Sequence, residues 1–302
     1  MTEVHTVETS LEADIKREVR QFYNQVGWQE ISEGFYQNAR YEDLRPVSWE
    51  YIHRCHMRVA RHLNPDGKYF LDAGSGPIQY PEYLAYSRGY NARVCADISI
   101  LALQEARRRI SVLQDGGHGL FVVADVANLP FRKDTFEGVI SLHTFHHLPE
   151  SDHPQAYFEL YRVLAADSTA VVVHGWDIST LMLFFDRPIR WANRIRDWFR
   201  RLWGESAVSM EASMKGRSGQ QAKPKGTFIS KNNPGWLKET IGKSIPLEIF
   251  VWRSVSVRFL RALIHPRLGG KRLLRVLFWL EECFPRFLGV RGQYPLIVIR
   301  KA

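Results

Sequence analysis

Phe70-Leu71-Asp72-Ala73-Gly74-Ser75-Gly76 reads as a short buried strand ending in an acidic, glycine-rich turn. Glycine has no Cβ and tolerates φ > 0, so the backbone of such a turn can approach a ligand closely. Pro77 suits a first helical turn, and Tyr80 to Tyr86 carries apolar residues at helical spacing. A helix placed there would aim its free N–H groups and positive dipole end at a bound carboxylate or phosphate. Taken alone, the turn is equally an ordinary structural device.

The stretches that follow repeat the pattern of a strand ending in an acid or another polar residue. A second strand, Ala92 to Ala96, ends in Asp97-Ile98-Ser99, and Asp97 lies 25 residues after Asp72, about one βαβ unit. An acid at that place can accept hydrogen bonds from a ribose diol. A third strand, Leu120 to Ala124, ends in Asp125-Val126. A fourth, Gly138 to Leu142, runs into His143-Thr144-Phe145-His146-His147-Leu148, and a fifth, Thr169 to Val173, into His174-Gly175-Trp176-Asp177. Helical patterns at Leu101 to Leu113 and Pro154 to Leu164 separate strands two from three and four from five. The alternation argues for an α/β fold with a doubly wound, mostly parallel sheet. Ligands bind such sheets at the carboxyl ends of the strands, where these polar residues fall.

Residues 68–175 resemble the core of class I S-adenosylmethionine-dependent methyltransferases, particularly the small-molecule group related to quinone-biosynthesis methyltransferases. Three blocks in order carry the resemblance: Leu71 to Gly76, Ala96-Asp97-Ile98-Ser99, and Ala124 to Phe131 continuing through Phe136 to Ser141 and on to His146-His147-Leu148. The resemblance implies a seven-stranded Rossmann-like sheet and S-adenosylmethionine as cofactor. It implies that Asp72 and the turn Gly74-Ser75-Gly76 hold the methionine part, with Ser141 and Leu142 lining that end. Asp97 would bind the ribose, Ile98 would pack on adenine, and Asp125 and the Val126 N–H would meet the base. Ile78 stands where the family has its third glycine, which puts the turn geometry in question.

Bland readings stand beside these. Asp125 can cap the turn after its strand, and Asn128 and Pro130 are ordinary turn residues. His147 fits a structural role. His143, His146 and His174 fall where the transferred methyl should lie, and a histidine near neutrality can remove a proton from a nucleophile. Methyl transfer can also proceed on alignment alone, with no base.

The rest of the chain bounds the class. Its 302 residues are 45% hydrophobic, enough for one large or two small domains. Met1 to Ser10 is acidic and polar, unlike a signal peptide, and no apolar run approaches a membrane span. Cys55, Cys95 and Cys283 are scattered, suggesting neither disulfides nor a metal site and fitting a reducing cytoplasm. Residues 1–176 hold 17 Lys/Arg and 23 Asp/Glu, net −6; residues 177–302 hold 24 and 9, net +15. The basic character therefore belongs to the C-terminal part.

Four regions follow: a helical N-terminal lid (1–67), the cofactor-binding core (68–176), a helical cap insertion (177–245) with a mobile loop at 204–226, and the last strands (246–302) with a basic amphipathic insertion at 254–292. Pro246 to Trp252 reads as strand six, and Tyr294 to Arg300 as the last strand, which the resemblance places antiparallel between strands five and six. In the lid, Tyr41 or Arg45 is placed to reach the cofactor carboxylate. In the cap, Phe184, Trp191, Ile195 and Trp198 share a helical face flanked by arginines, and Pro188 should break or kink that helix. Such basic, aromatic helices either roof the active site or meet an anionic membrane; the roof is the favoured expectation. Trp176, Phe184 and Trp191 point to an apolar or aromatic acceptor. The expected function is methyl transfer from S-adenosylmethionine to a small-molecule or lipid-like acceptor. The alternatives are a membrane-surface methyltransferase of a lipid-linked or anionic metabolite, an RNA methyltransferase, which the patterning disfavours, and a non-catalytic cofactor-binding subunit.

Overall fold

The computed structural model describes residues 2–28, 30–32, 35–36, 42–113, 119–202 and 227–302. Tyr41 and the segment 204–226 lie outside the described residues. Seven strands make one sheet: β1 (Gly67–Ala73), β2 (Tyr90–Asp97), β3 (Gly119–Val123), β4 (Phe136–Leu142), β5 (Leu164–Val173), β6 (Leu247–Arg253) and β7 (Tyr294–Lys301). Their order is β3-β2-β1-β4-β5-β7-β6. All pairs are parallel except those of β7, which runs antiparallel between β5 and β6. This is the Rossmann-like arrangement that the sequence implied.

The sheet is covered on both faces, and its central strands show it. Phe70 to Ala73 in β1 are buried without alternation, as expected when helices lie above and below. On one face pack α2 (Pro46–Met57), α3 (Ile100–Leu113), α5 (Thr180–Leu202), α6 (Val257–Leu263) and α7 (Gly270–Cys283). On the other lie α4 (Asp152–Val163) and the short turn Pro234–Trp236 with its π-helical continuation Leu237–Ile241. Val290 of α8 (Pro285–Arg291) joins that second cluster. The N-terminal helix α1 (Thr2–Phe22) continues as a π-helical turn, Tyr23–Gly27.

Three local expectations need correction. No α-helix follows the glycine turn; a 3-10 helix begins only at Pro81 and runs to Ser87. The charge-on-helix-dipole argument therefore has no helix to rest on. Of the break or kink expected at Pro188, the break does not occur: α5 runs through it from Thr180 to Leu202. Trp176 is fully buried, donating from Nε1 to the Gly289 carbonyl at 2.8 Å, so it is core rather than pocket wall. Among the described residues no helix is long and apolar enough to cross a membrane.

Candidate active site

The carboxyl ends of β1 to β6 open onto a cavity of about 360 Å³. Its lining includes Gly74, Ser75, Gly76, Asp97, Ile98, Asp125, Val126, Leu142, His143 and His146 from the sequence-based set. The turn is tight for a physical reason. Gly74 and Gly76 take φ of 79° and 54°, and a Cβ on Gly74 would come within 2.2 Å of Thr144 Oγ1. The N–H groups of Gly74 and Ser75 both reach the Ala96 carbonyl, at 2.7 and 3.1 Å. Ile78, at the position of the missing third glycine, keeps a left-handed φ of 55° although it is a buried β-branched residue. Arg109 of α3 holds that strained stretch, donating from Nη1 to the carbonyls of Ile78 (2.7 Å) and Gln79 (3.1 Å). The turn thus survives the substitution because a buried guanidinium fastens it.

Asp97, at the end of β2, accepts from Gly76 N on Oδ2 and Ser99 N on Oδ1, each at 2.8 Å. Burial pushes its pKa up to about 6 against the pull of these N–H groups. An ionised carboxylate has about four acceptor sites, so two remain for a diol. Asp125 both lines the cavity and caps its turn, accepting from Ala127 N at 2.9 Å and pairing with Lys16 at 2.6 Å. Ile98, Ala124, Val126 and Leu148 provide an apolar strip beside these carboxylates.

Three residues of the sequence-based set are not on the wall. Asp72 is buried beneath the turn with its carboxylate on the Arg93 guanidinium, and burial pushes its pKa up despite that partner. Ser141 is fully buried and donates to the Ala73 carbonyl at 2.8 Å, joining β4 to β1. His174 is buried with both ring nitrogens engaged: Nδ1 faces the Gly175 carbonyl at 3.1 Å, so Nε2 accepts from Tyr157 Oη at 3.2 Å. His174 is therefore no base for this cavity. Arg45 does not face the cavity either. It pairs with Asp43 at 2.7 Å and donates to the carbonyls of Leu260 and Ile264 at the end of α6.

His143 and His146 do line the cavity, and enclosure lowers both pKa values, His143 to about 3 with Arg253 adding to the effect. His143, with φ of 58°, stands edge-on to Trp252 (centroids 4.9 Å apart) and Tyr294 (6.1 Å). His146 Nδ1 is buried without a partner among the described residues. His147 is structural: Nδ1 donates to the Phe228 carbonyl at 3.0 Å and Nε2 accepts from Tyr23 Oη at 2.6 Å.

Other wall residues had no motif to announce them. The N-terminal 67 residues supply Lys16, Val19, Phe22, Tyr23, Trp28 and Glu42. Lys16 also pairs with Asp152 at 2.6 Å, and Asn24 Oδ1 accepts from Ser99 Oγ at 2.5 Å, fastening this segment over the strand ends. The opposite end of the cavity is formed by Tyr80, Tyr83, His143, Lys231, Arg253 and Tyr294. Arg253 is 2% exposed, donates to Glu42 Oε1 at 2.5 Å, and lies 4.6 Å from the Tyr294 ring centroid. It is the last residue of β6, so the rule that polar residues at strand ends face the ligand would have found it had the sequence-based strand, Pro246 to Trp252, been extended one residue. Helix α5 and the 254–292 insertion do not roof the cavity: no described residue of 178–202 or 254–292 lines it, and among the described residues of 177–245 those that do are Thr227, Ile229 and Lys231.

The residues present suit S-adenosylmethionine: a cradle that a Cβ would fill at Gly74, a carboxylate with spare acceptor sites at Asp97, and an apolar strip for a base. Residues 71–172 match a family model described as a methyltransferase domain. No curated protein matches the chain. Among solved structures, the geranyl diphosphate C-methyltransferase of Streptomyces coelicolor A3(2) is 13% identical, with 95% of this chain and 98% of that chain covered at a TM-score of 0.53. The phosphoethanolamine N-methyltransferase 2 of Haemonchus contortus is 15% identical, with 93% of this chain but only 59% of that chain covered at a TM-score of 0.52. The cyclase SpnF is 15% identical over 95% and 96% of the two chains, at a TM-score of 0.50. Likeness at such identities speaks for the fold, and the family model adds the chemistry. Residues 71–172 are thus a methyltransferase domain, set in a Rossmann-like sheet whose cradle suits S-adenosylmethionine.

Proposed function

We propose that the acceptor is a small, largely apolar molecule carrying an anionic group, and that it occupies the end of the cavity around Arg253. The observation that carries this reading is a buried guanidinium among aromatic walls. Arg253 and Lys231 bring two cations to that end against the single carboxylate of Glu42, while Tyr80, Tyr83 and Tyr294 supply apolar surface. A buried cation with incomplete neutralisation favours an anion, and Arg253 Nε has no hydrogen-bond partner among the described residues. Burial also lowers the pKa of Lys231, and an anion beside it would oppose that shift.

S-adenosylmethionine, when bound, supplies an electrophilic methyl on a cationic sulfur; the acceptor lone pair takes the methyl as the carbon–sulfur bond breaks, its electrons staying on sulfur. The glycine cradle and Asp97 would fix the cofactor, and the aromatic walls would aim the acceptor, which is the larger part of such catalysis. A histidine with a pKa near 3 is a weak general base at neutral pH. His143 would instead stay neutral and accept a hydrogen bond that orients the nucleophile.

Labelled-methyl transfer to matched acid and ester forms of apolar aromatic and isoprenoid compounds tests the reading. Acids should be preferred by roughly 100-fold or more, because esters leave the two cations with the Glu42 carboxylate as their one anionic neighbour on the wall. Arg253→Met should abolish the preference. Equal turnover of esters and acids would contradict it.

A further inference from the structure

Helix α5 turns its inner side to the core through Met182, Phe185 and Ile189, and Phe185 meets Phe259 of α6 at 5.0 Å between centroids. The opposite side carries Phe184, Arg187, Trp191, Arg194, Trp198 and Arg201. Aromatic and arginine positions alternate at steps of three and four residues, so all six fall on one stripe. Phe184 is 74% and Trp191 67% exposed, values at odds with a helix that merely roofs a core. Over Thr180–Leu202 six arginines face two aspartates. On the same face of the sheet, α7 repeats the design. Leu274 and Phe278 point inward, while Leu273, Val276 and Trp279 are at least half exposed beside Arg272.

From the charge and the alternation we infer that this helical layer docks on the surface of an anionic phospholipid bilayer, with α5 lying in the interface plane. Arginine forks suit lipid phosphates, and tryptophan and phenylalanine settle at the boundary between head groups and acyl chains. The complementary charge lies in the lipid, since juxtamembrane cations are drawn to anionic leaflets. A second copy of the chain is a poorer occupant, because a two-fold contact would set the same arginine stripe against itself. No residue of this stripe lines the cavity, so the inference stands apart from the acceptor assignment.

The test is co-sedimentation of the full chain with vesicles of phosphatidylcholine, with and without phosphatidylglycerol. Binding should require the anionic lipid and weaken with added salt. The pairs Phe184→Ser with Trp191→Ser, and Arg187→Gln with Arg194→Gln, should each lower the partition coefficient about tenfold or more. Both variants should keep the unfolding temperature and the cofactor affinity of the parent, showing that the loss is one of docking. Failure to sediment with anionic vesicles would overturn the inference, as would equal sedimentation of parent and variants. So would a dimer, seen by light scattering, that the aromatic substitutions dissociate.

Discussion

The two ends of the cavity are built in different ways. At β1 and β2 the wall is made of backbone and carboxylates from strand ends and the turns that directly follow: Gly74 to Gly76, then Asp97 and Ile98. At β4 to β6 it is made of side chains from scattered places: Glu42, Tyr80, His143, Lys231, Arg253 and Tyr294. One end is a local device whose geometry follows from glycine and strand termini. The other is a product of tertiary packing. The division matches a reaction in which the cofactor is common to a large family and the acceptor is not.

The largest effect that would sharpen this contrast lies beneath the cofactor end. Asp72→Ala should cost roughly 3–5 kcal/mol of stability, because it strands Arg93 as a buried, unpaired cation. Asp72→Ala combined with Arg93→Met should recover most of that in urea unfolding. A single variant with parent stability and lost cofactor binding would instead return Asp72 to the site itself.

Ile78→Gly comes next. Relief of the left-handed φ is worth about 1–2 kcal/mol, but loss of a fully buried side chain costs about 2–5 kcal/mol. The net should be a modest loss of stability with cofactor affinity kept. If the variant is more stable, strain rather than packing dominates this turn.

Tyr23→Phe removes the 2.6 Å contact that joins the N-terminal segment to His147. It should loosen that segment by about 1 kcal/mol. Hydrogen exchange of Phe22 to Gly27 should accelerate about fivefold, with cofactor affinity falling by a comparable factor. Unchanged exchange would mean that Lys16 and Asn24 suffice to hold the segment.

The smallest effect is a pH dependence. The folded-state pKa of Asp97 is raised to about 6 from its ordinary value of 3.8. The folded chain therefore binds this proton first, and cofactor-free stability from this group should rise as pH falls from about 6 towards 4. Cofactor affinity should move the other way, weakening by up to tenfold per pH unit below about 6 as the acceptor carboxylate is lost. Affinity flat from pH 7 to pH 5 would count against Asp97 as the ribose ligand.

The contrast also explains what could be read in advance. The seven strands of the sheet follow from apolar runs punctuated by acids and glycines, which are local signals, whereas the place and reversed direction of the last strand came from the family resemblance. Asp97, Asp125 and the glycine turn were legible for the same reason. The missing helix after Gly76 was not, because Pro81 starts a 3-10 turn that periodicity over so few residues cannot distinguish. Ser141 and His174 have the right places in the sequence but point into the core, one bonded to Ala73 and the other to Tyr157. Lys231 and Glu42 come from loops, where only the tertiary fold brings them to the wall. Phe184 and Trp191 of α5 suggested a lined pocket from their nearness in sequence, yet both face outward.

The division of the cavity is tested most directly by calorimetry of S-adenosylmethionine with three proteins: the parent, Asp97→Ala and Arg253→Met. Asp97→Ala should weaken binding by roughly 100-fold, the worth of one or two charge-assisted hydrogen bonds. Arg253→Met should bind within about threefold of the parent while losing transfer to anionic acceptors. If Arg253→Met weakens the cofactor as much as Asp97→Ala does, the arginine belongs to the cofactor and the two-ended account fails.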